Sequence, residues 1–371
     1  MTIKIVDCFL FYNELELLKL KLKELNDVVD YFVLIESKYT FVGNEKELYY
    51  EKNKEMFSEY NDKIIHIVHD HNATLENGPR DDGLPSAWNN EKEQRFYGTK
   101  GISQLNLTDN DLIILSDLDE IADKNTIKKI KEEGLEEPIY CLEQDMYYYN
   151  LNNKIKNKWY RSKIVRFDKL SKYFDKSPEL FQTIVQPVYN PDGTHRGNYP
   201  IIEKGGWHFS FFGNISKIKN KIKNFSHTEL SHFGDESNRA IVEKIIDSKD
   251  IFNRNDIKIE YTKVEDNNYL PENYEMLIDN NLIFNAENFQ YEKYKEYFRI
   301  HFKNNNMDVL TNKELWINYN TYDKLNEKIN DFLQSDIIMK PTYLCIGVQK
   351  GGTTSIINYL NLNPDIFCKQ G

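Results

Sequence analysis

Three stretches near the start of the chain are apolar almost without interruption: "TIKIVDCFLF", "DVVDYFVLIES" and "DLIILSDLDE". A strand with one wet face alternates polar and apolar residues, whereas a strand apolar on both faces needs cover on both sides. These runs therefore predict a sheet sandwiched between helices. "DKIIHIVHD" predicts a further strand of the same set. The segments between them carry helical spacing. In "YNELELLKLKLKEL", Leu15, Leu18, Leu22 and Leu25 share one face, and Asn13 and Glu16 are spaced as a capping box. Another helix is expected from near Ala87. A third is expected in "DKNTIKKIKEEG", with Asp123 as its N-cap and Gly134 just past its end. Strand and helix alternate in this way over the first 135 or so residues, which predicts an α/β domain with a mostly parallel sheet.

After Pro138 the texture changes. "PIYCLEQDMYYYNLN", "KWYRSKIVRF" and "GGWHFSFF" are aromatic and strand-like, and are expected to form a smaller mixed part facing the acidic end of "LIILSDLDE". "ISKIKNKIKNFSH" returns to helical spacing, with Ile215, Ile218, Ile222 and Phe225 on one face and its lysines (Lys217, Lys219, Lys221, Lys223) mostly solvated. The domain reading is residues 1–282 as one α/β unit, 283–340 as a polar helical region, and 341–371 as an incomplete strand–loop–helix segment.

The net charge of −11 excludes a sequence-independent grip on nucleic acid, which needs a basic footprint. No stretch approaches the ~20 apolar residues of a membrane helix, and no secretory signal is read at the start, so the expectation is a cytoplasmic protein. Its four cysteines are widely spaced and read as reduced thiols. The bias towards Asn, Lys and Ile suggests an AT-rich viral or bacterial genome.

The acidic turn carries the chemistry. Asp117, Asp119 and Glu120 follow directly on "LIILS", and the carboxyl edge of a parallel sheet is where such folds bind ligands. Carboxylates packed together stay ionised when a cation joins them. Hard divalent ions take such oxygens and keep positions open for phosphate, so the reading is a Mn²⁺ or Mg²⁺ site clamping a diphosphate. A bland reading explains Asp123 as a helix cap. Two other classes fit the local string. A haloacid-dehalogenase-type phosphatase also places Asp-x-Asp after a strand, but wants Thr or Val where Ile121 stands. A non-enzymatic glycan-binding module follows if the acidic cluster only caps a helix.

Several segments together resemble glycosyltransferase family 17, which includes the β-1,4-mannosyl-glycoprotein β-1,4-N-acetylglucosaminyltransferases. The resemblance runs from "DCFLFYNELELLKLKLKELNDVVDYFVLIESKYTFVGNEKEL" through "PRDDG", the helix around Trp88–Arg95, "DLIILSDLDEI", "MYYYNLN" and "GGWHFSFF", and fades near "YLPENYEML". It implies a GT-A type, Rossmann-like nucleotide-sugar transferase, with UDP-GlcNAc as donor, a glycan as acceptor and inversion at the anomeric carbon. It also implies roles for residues. Asp119 is the direct metal ligand, and Asp117 supports the metal or the ribose. Glu120 completes the acidic cluster, and His208 is either a further metal ligand or a hydrogen-bonded partner beside Trp207. Glu36 either meets the nucleotide or caps a turn. Arg95 pairs with donor phosphate or with Asp117, and Asp82 is a further donor-site candidate. Trp207 and Tyr148 are expected to stack on acceptor sugar. The base that an inverting transfer needs is expected in Asp145, or else in Asp235.

The last segment, "CIGVQKGGTTSIINYLNLNP", resembles the 5′-phosphosulfate loop of sulfotransferases. By that resemblance Lys350 would meet the sulfonate, while Gly351, Gly352, Thr353 and Thr354 would hold the 5′-phosphate. One strand and one helix cannot bury a core. The expectation is a vestigial phosphate loop, in a fragment of a larger bifunctional protein.

Overall fold

The computed structural model describes residues 3–76, 86–186, 199–213, 215–230 and 240–279, the last without 242, 243 and 246. The chain begins with β1 (Ile5–Phe11), α1 (Leu15–Leu25), β2 (Tyr31–Ser37), a short α2 (Tyr49–Lys52) and β3 (Ile64–His69). Next come α3 (Ala73–Glu76), α4 (Ala87–Phe96), α5 (Gly98–Ile102), β4 (Leu112–Asp117), β5 (Glu120–Ala122) and α6 (Lys124–Glu133). The second half holds β6 (Ile139–Tyr148), β7 (Asn153–Ile155), β8 (Lys163–Arg166), α7 (Phe167–Phe174), α8 (Pro178–Ile184), β9 (Ile201–Ser210), α9 (Ile215–Asn224) and β10 (Ile259–Tyr261).

One sheet runs through the described residues in the order β10-β7-β6-β8-β4-β1-β2-β3, with β9 paired to both β6 and β5. The β3-β2-β1-β4 half is parallel, as the apolar runs predict. Beyond it the sheet is mixed. β8 enters antiparallel between β4 and β6, β9 lies parallel to β6, and β5 closes antiparallel onto β9.

Alternation along β1, β2 and β4 divides the core. Ile5, Phe9, Phe32, Leu34, Leu112 and Ile114 pack with α1 and α6 on one face. Val6, Cys8, Val33, Ile35, Ile113 and Leu115 pack with α5, α7 and α8 on the other. Both faces are therefore dry, which explains why these strands tolerate so few polar residues. A further aromatic and aliphatic cluster, with Tyr148, Tyr149, Phe211 and Phe252, packs under α9.

Asp123 caps α6, its carboxylate accepting from the Asn125 and Thr126 amides, and Gly134 follows the helix at φ +79°. The expected capping box on α1 does not form. The Asn13 amide donates to Glu14, and Glu16 is drawn instead to Lys217 at 2.7 Å. The stripe buried by α1 is also wider than the four leucines, and includes Lys21 and Glu24. The proposed segments 283–340 and 341–371, with Lys350, Gly351, Gly352, Thr353 and Thr354, lie outside the described residues, as do Asp82 and Asp235. Among the described residues no helix is long and apolar enough to cross a membrane.

Candidate active site

The acidic turn sits at the carboxyl edge of β4, and its backbone is held from below by one buried ammonium. Lys21 reaches from α1 and donates to Ser116 Oγ (2.8 Å) and to the carbonyls of Asp117 (3.1 Å) and Glu120 (2.8 Å). It also pairs with Asp7 of β1 at 3.3 Å. Burial pushes the Asp7 carboxyl up, and the Lys21 charge only partly opposes it. The sequence did carry a signal for this group. Lys21 falls on the leucine stripe of α1, and Asp7 interrupts an apolar strand.

The three carboxylates of the turn face different partners. Asp117 is nearly half exposed, and Arg95 of α4 donates to it at 2.9 Å while also holding Glu91 at 3.1 Å. Asp119 is mostly buried; Lys221 of α9 donates to its Oδ2 at 2.6 Å, and His208 Nε2 stands 3.5 Å from the same oxygen. Burial alone would raise the Asp119 carboxyl. The charges of Lys221 and His208 outweigh it and hold the group well below the usual carboxylate range. Glu120 is buried, with both oxygens engaged inside the protein. It accepts from the Trp159 indole N–H, from Ser162 Oγ (2.6 Å) and from the Asp117 amide (3.1 Å), so it braces the turn.

β9 brings His208 to this place. Its register opposite Glu120 of β5 sets both side chains on one face of the sheet, and the Trp159 ring packs against the imidazole at 4.7 Å. Close pairing of β5 and β9 needs the glycine in "GGW". A Cβ on Gly206, at φ +136°, would stand 2.1 Å from the Ile121 carbonyl oxygen.

α9 closes over this edge, and here the expectation of a mostly solvated lysine face is corrected. Lys217, Asn220 and Lys221 fall on one side of the helix and reach Glu16 (2.7 Å), the Tyr12 hydroxyl (2.8 Å) and Asp119 respectively. Ile215, Ile218 and Ile222 anchor the other side in the aromatic cluster. A hollow about the size of one water between α1 and α9 is lined by Asn13, Glu14, Leu17, Phe211, Lys217 and Lys221. Tyr149 and Phe211 follow the paired ends of β6 and β9 in left-handed backbone, at φ 67° and 57°. That conformation costs an aromatic residue on the order of 1–3 kcal/mol and concentrates near functional sites.

Other expected site residues lie elsewhere. Trp207 points to the face opposite His208 and is buried in the main core, its indole N–H donating to the Tyr269 carbonyl at 3.1 Å. Tyr148 is buried in the cluster beneath α9, its hydroxyl accepting from Arg254 at 2.9 Å. Neither offers a face to an acceptor sugar. Asp145 is in register with Trp207, so it too faces away from His208, and it is held by Lys154 (2.6 Å) and Lys158. A carboxylate tied to two lysines on the far face is a poor base for a reaction at Asp119. Glu36 is fully buried, accepting from the Tyr50 amide (2.9 Å) and lying 3.1 Å from His66 Nε2. Of its two expected roles, the structure shows a brace for the turn before α2.

Residues 1–293 match the sequence profile described as Glycosyltransferase family 17. The chain belongs to glycosyltransferase family 17. Among curated proteins it is similar to the Beta-1,4-mannosyl-glycoprotein 4-beta-N-acetylglucosaminyltransferase of Rattus norvegicus and that of Homo sapiens. Each is 32% identical over 143 residues, covering 36% of this chain and 25% of the relative. The Mus musculus protein of the same name is 31% identical over the same span. The match thus spans about a quarter of the length of these relatives. Membership in family 17 counts against the phosphatase reading of Asp117-x-Asp119.

Proposed function

We propose that this family 17 chain transfers N-acetylglucosamine from UDP-GlcNAc to a glycan hydroxyl, with inversion, on a GT-A type domain. The observation that carries the reading is the acidic turn with two cations already facing it, Arg95 on Asp117 and Lys221 on Asp119. Transfer from a nucleotide sugar releases a diphosphate, and preplaced positive charge stabilises that leaving group as the bond breaks. The parallel β3-β2-β1-β4 half supports a nucleotide at its carboxyl edge. The choice of GlcNAc rests on the names of the relatives.

A divalent cation, Mn²⁺ or Mg²⁺, belongs to this proposal. Asp119 Oδ2 and His208 Nε2 are 3.5 Å apart and suit two ligand positions of one ion. Imidazole beside carboxylate favours Mn²⁺. Bound there, the ion would add charge against the departing diphosphate. Both carboxylates already hold a cation of the chain, Asp117 from Arg95 at 2.9 Å and Asp119 from Lys221 at 2.6 Å, so the ion would displace one of these contacts. Arg95 and Lys221 remain the chain's own contribution to phosphate binding. Of the two carboxylates expected as base, Asp145 is engaged on the far face, which leaves Asp235 to be tested by substitution.

The deciding experiment is UDP release from UDP-GlcNAc in the presence of glycan acceptors, with and without Mn²⁺, for the wild type and Asp119→Ala. Mn²⁺-dependent release that the substitution abolishes is expected. Release that ignores Mn²⁺ sinks the metal assignment. Absence of release, together with phosphate release from a simple phosphomonoester, sinks the transferase reading.

A further inference from the structure

We propose that His69, His71 and Glu93 form a binding site for a d-block divalent cation, best matched by Zn²⁺, separate from the acidic turn. Among the described residues, this group brings three metal-ligating atoms within 4.8 Å of one another. His69 closes β3, and His71, two residues on, returns to the same side. Both rings meet one carboxylate oxygen of Glu93 on α4: His69 Nε2 at 3.2 Å and His71 Nδ1 at 2.7 Å. Ligand atoms around a tetrahedral zinc with bonds near 2.0–2.1 Å stand about 3.3 Å apart. The two distances to Glu93 bracket this value, and the two imidazole nitrogens lie within 4.8 Å of each other.

The surroundings match a metal site in three further ways. Ser37 closes β2 in register with His69, and its hydroxyl meets His69 Nδ1 at 2.9 Å, which fixes the ring with Nε2 towards Glu93. The Tyr97 ring stands edge-on to the same imidazole at 4.7 Å and blocks its rotation. His69 is fully buried, whereas His71 and Glu93 are each about one-third exposed, so a fourth position is reachable by water. Two imidazoles and one carboxylate with an open position form a zinc-type donor set, where Mg²⁺ and Ca²⁺ prefer oxygens alone. The ion would clamp the end of β3 to α4, the helix from which Arg95 reaches Asp117. This inference does not depend on the sugar-transfer reading.

The test is titration of the EDTA-dialysed full chain with Zn²⁺ by calorimetry, and with Co²⁺ by visible absorption. In the Asp119→Asn chain, which removes the carboxylate ligand at the acidic turn, one equivalent is expected to bind, with the intense bands of tetrahedral Co²⁺ and a raised melting temperature. In that chain His71→Ala and Glu93→Gln, both at partly exposed positions, are each expected to weaken binding at least tenfold. The proposal is overturned by the absence of saturable binding to the wild type. It is equally overturned by binding to the Asp119→Asn chain that survives both His71→Ala and Glu93→Gln, or by the loss of all binding in Asp119→Asn alone.

Discussion

Lys21 donates to the backbone carbonyl of Glu120 at 2.8 Å from a fully buried position. The turn that presents Asp117 and Asp119 is thus fixed through its main chain by a side chain from α1, with Asp7 as counter-charge. Removing one partner of a buried pair leaves the other charge uncompensated, at a cost of about 3–5 kcal/mol. Lys21→Met is expected to lower stability by that order in urea unfolding. Adding Asp7→Asn to the same chain is expected to recover part of the loss. A double variant no more stable than Lys21→Met would show that the backbone contacts, and not the charge pair, dominate.

Gly206 sets how closely β5 approaches β9. Because an added Cβ would collide with the Ile121 carbonyl, and the backbone is left-handed, Gly206→Ala is expected to cost several times the ~1 kcal/mol typical of a substitution. Gly205 is tight as well, against Leu142 and the Glu143 amide, but lacks the left-handed φ. Thermal unfolding of the two alanine variants should therefore rank Gly206→Ala as the more damaging whenever backbone strain matters beyond crowding.

Lys46 carries a pH signature. Burial pushes its ammonium down from 10.5 to about 8, with Glu36 and Glu14 opposing. Below pH 8 both folded and unfolded chains hold the proton, and the full cost of burying the charge is present. Between about 8 and 10.5 the folded chain releases it first, so stability rises with pH through that window. Lys46→Met is expected to be more stable than wild type at pH 7, by up to the order of 3 kcal/mol, and to lose that advantage by pH 10. An advantage constant with pH counts against the depressed amine.

Lys221 is expected to matter more for turnover than for folding. If it meets the leaving diphosphate, Lys221→Ala should lower kcat/KM for UDP-GlcNAc by about a hundredfold or more. Lys221→Arg should restore part of the activity. Loss of stability matching the loss of activity, with no rescue by Arg, would assign Lys221 to structure alone.

Much of this arrangement was legible in the residues. The two-sided cover of the sheet follows from the unbroken apolar runs, and the Asp123 cap from its place before "KNTIKKIKEE". The assignment of both Trp207 and His208 to one site conflicts with strand alternation, since neighbours on β9 point to opposite faces. The same rule separates Asp145 from Tyr148. Other features are not local. The antiparallel entry of β8 and the hook of β5 onto β9 depend on which strands meet across tens of residues. Trp159 lies in a plain aromatic string, and only the tertiary fold places it against His208. The lysines of α9 look alike in sequence; the packing of Ile218 and Ile222 decides that Lys221 is the one turned onto Asp119.

The contact between Lys221 and Asp119 also changes how affinity at this edge should be read. The carboxylate is electrically balanced before anything binds, by a cation that belongs to the protein. Any arriving ion must compete for an oxygen already in use, and any arriving phosphate can draw Lys221 away from it. Ligation at this edge is then an exchange of partners, and its measured strength is a difference between two ionic contacts. Metal and nucleotide should consequently assist each other's binding, since each relocates the charge that the other needs moved.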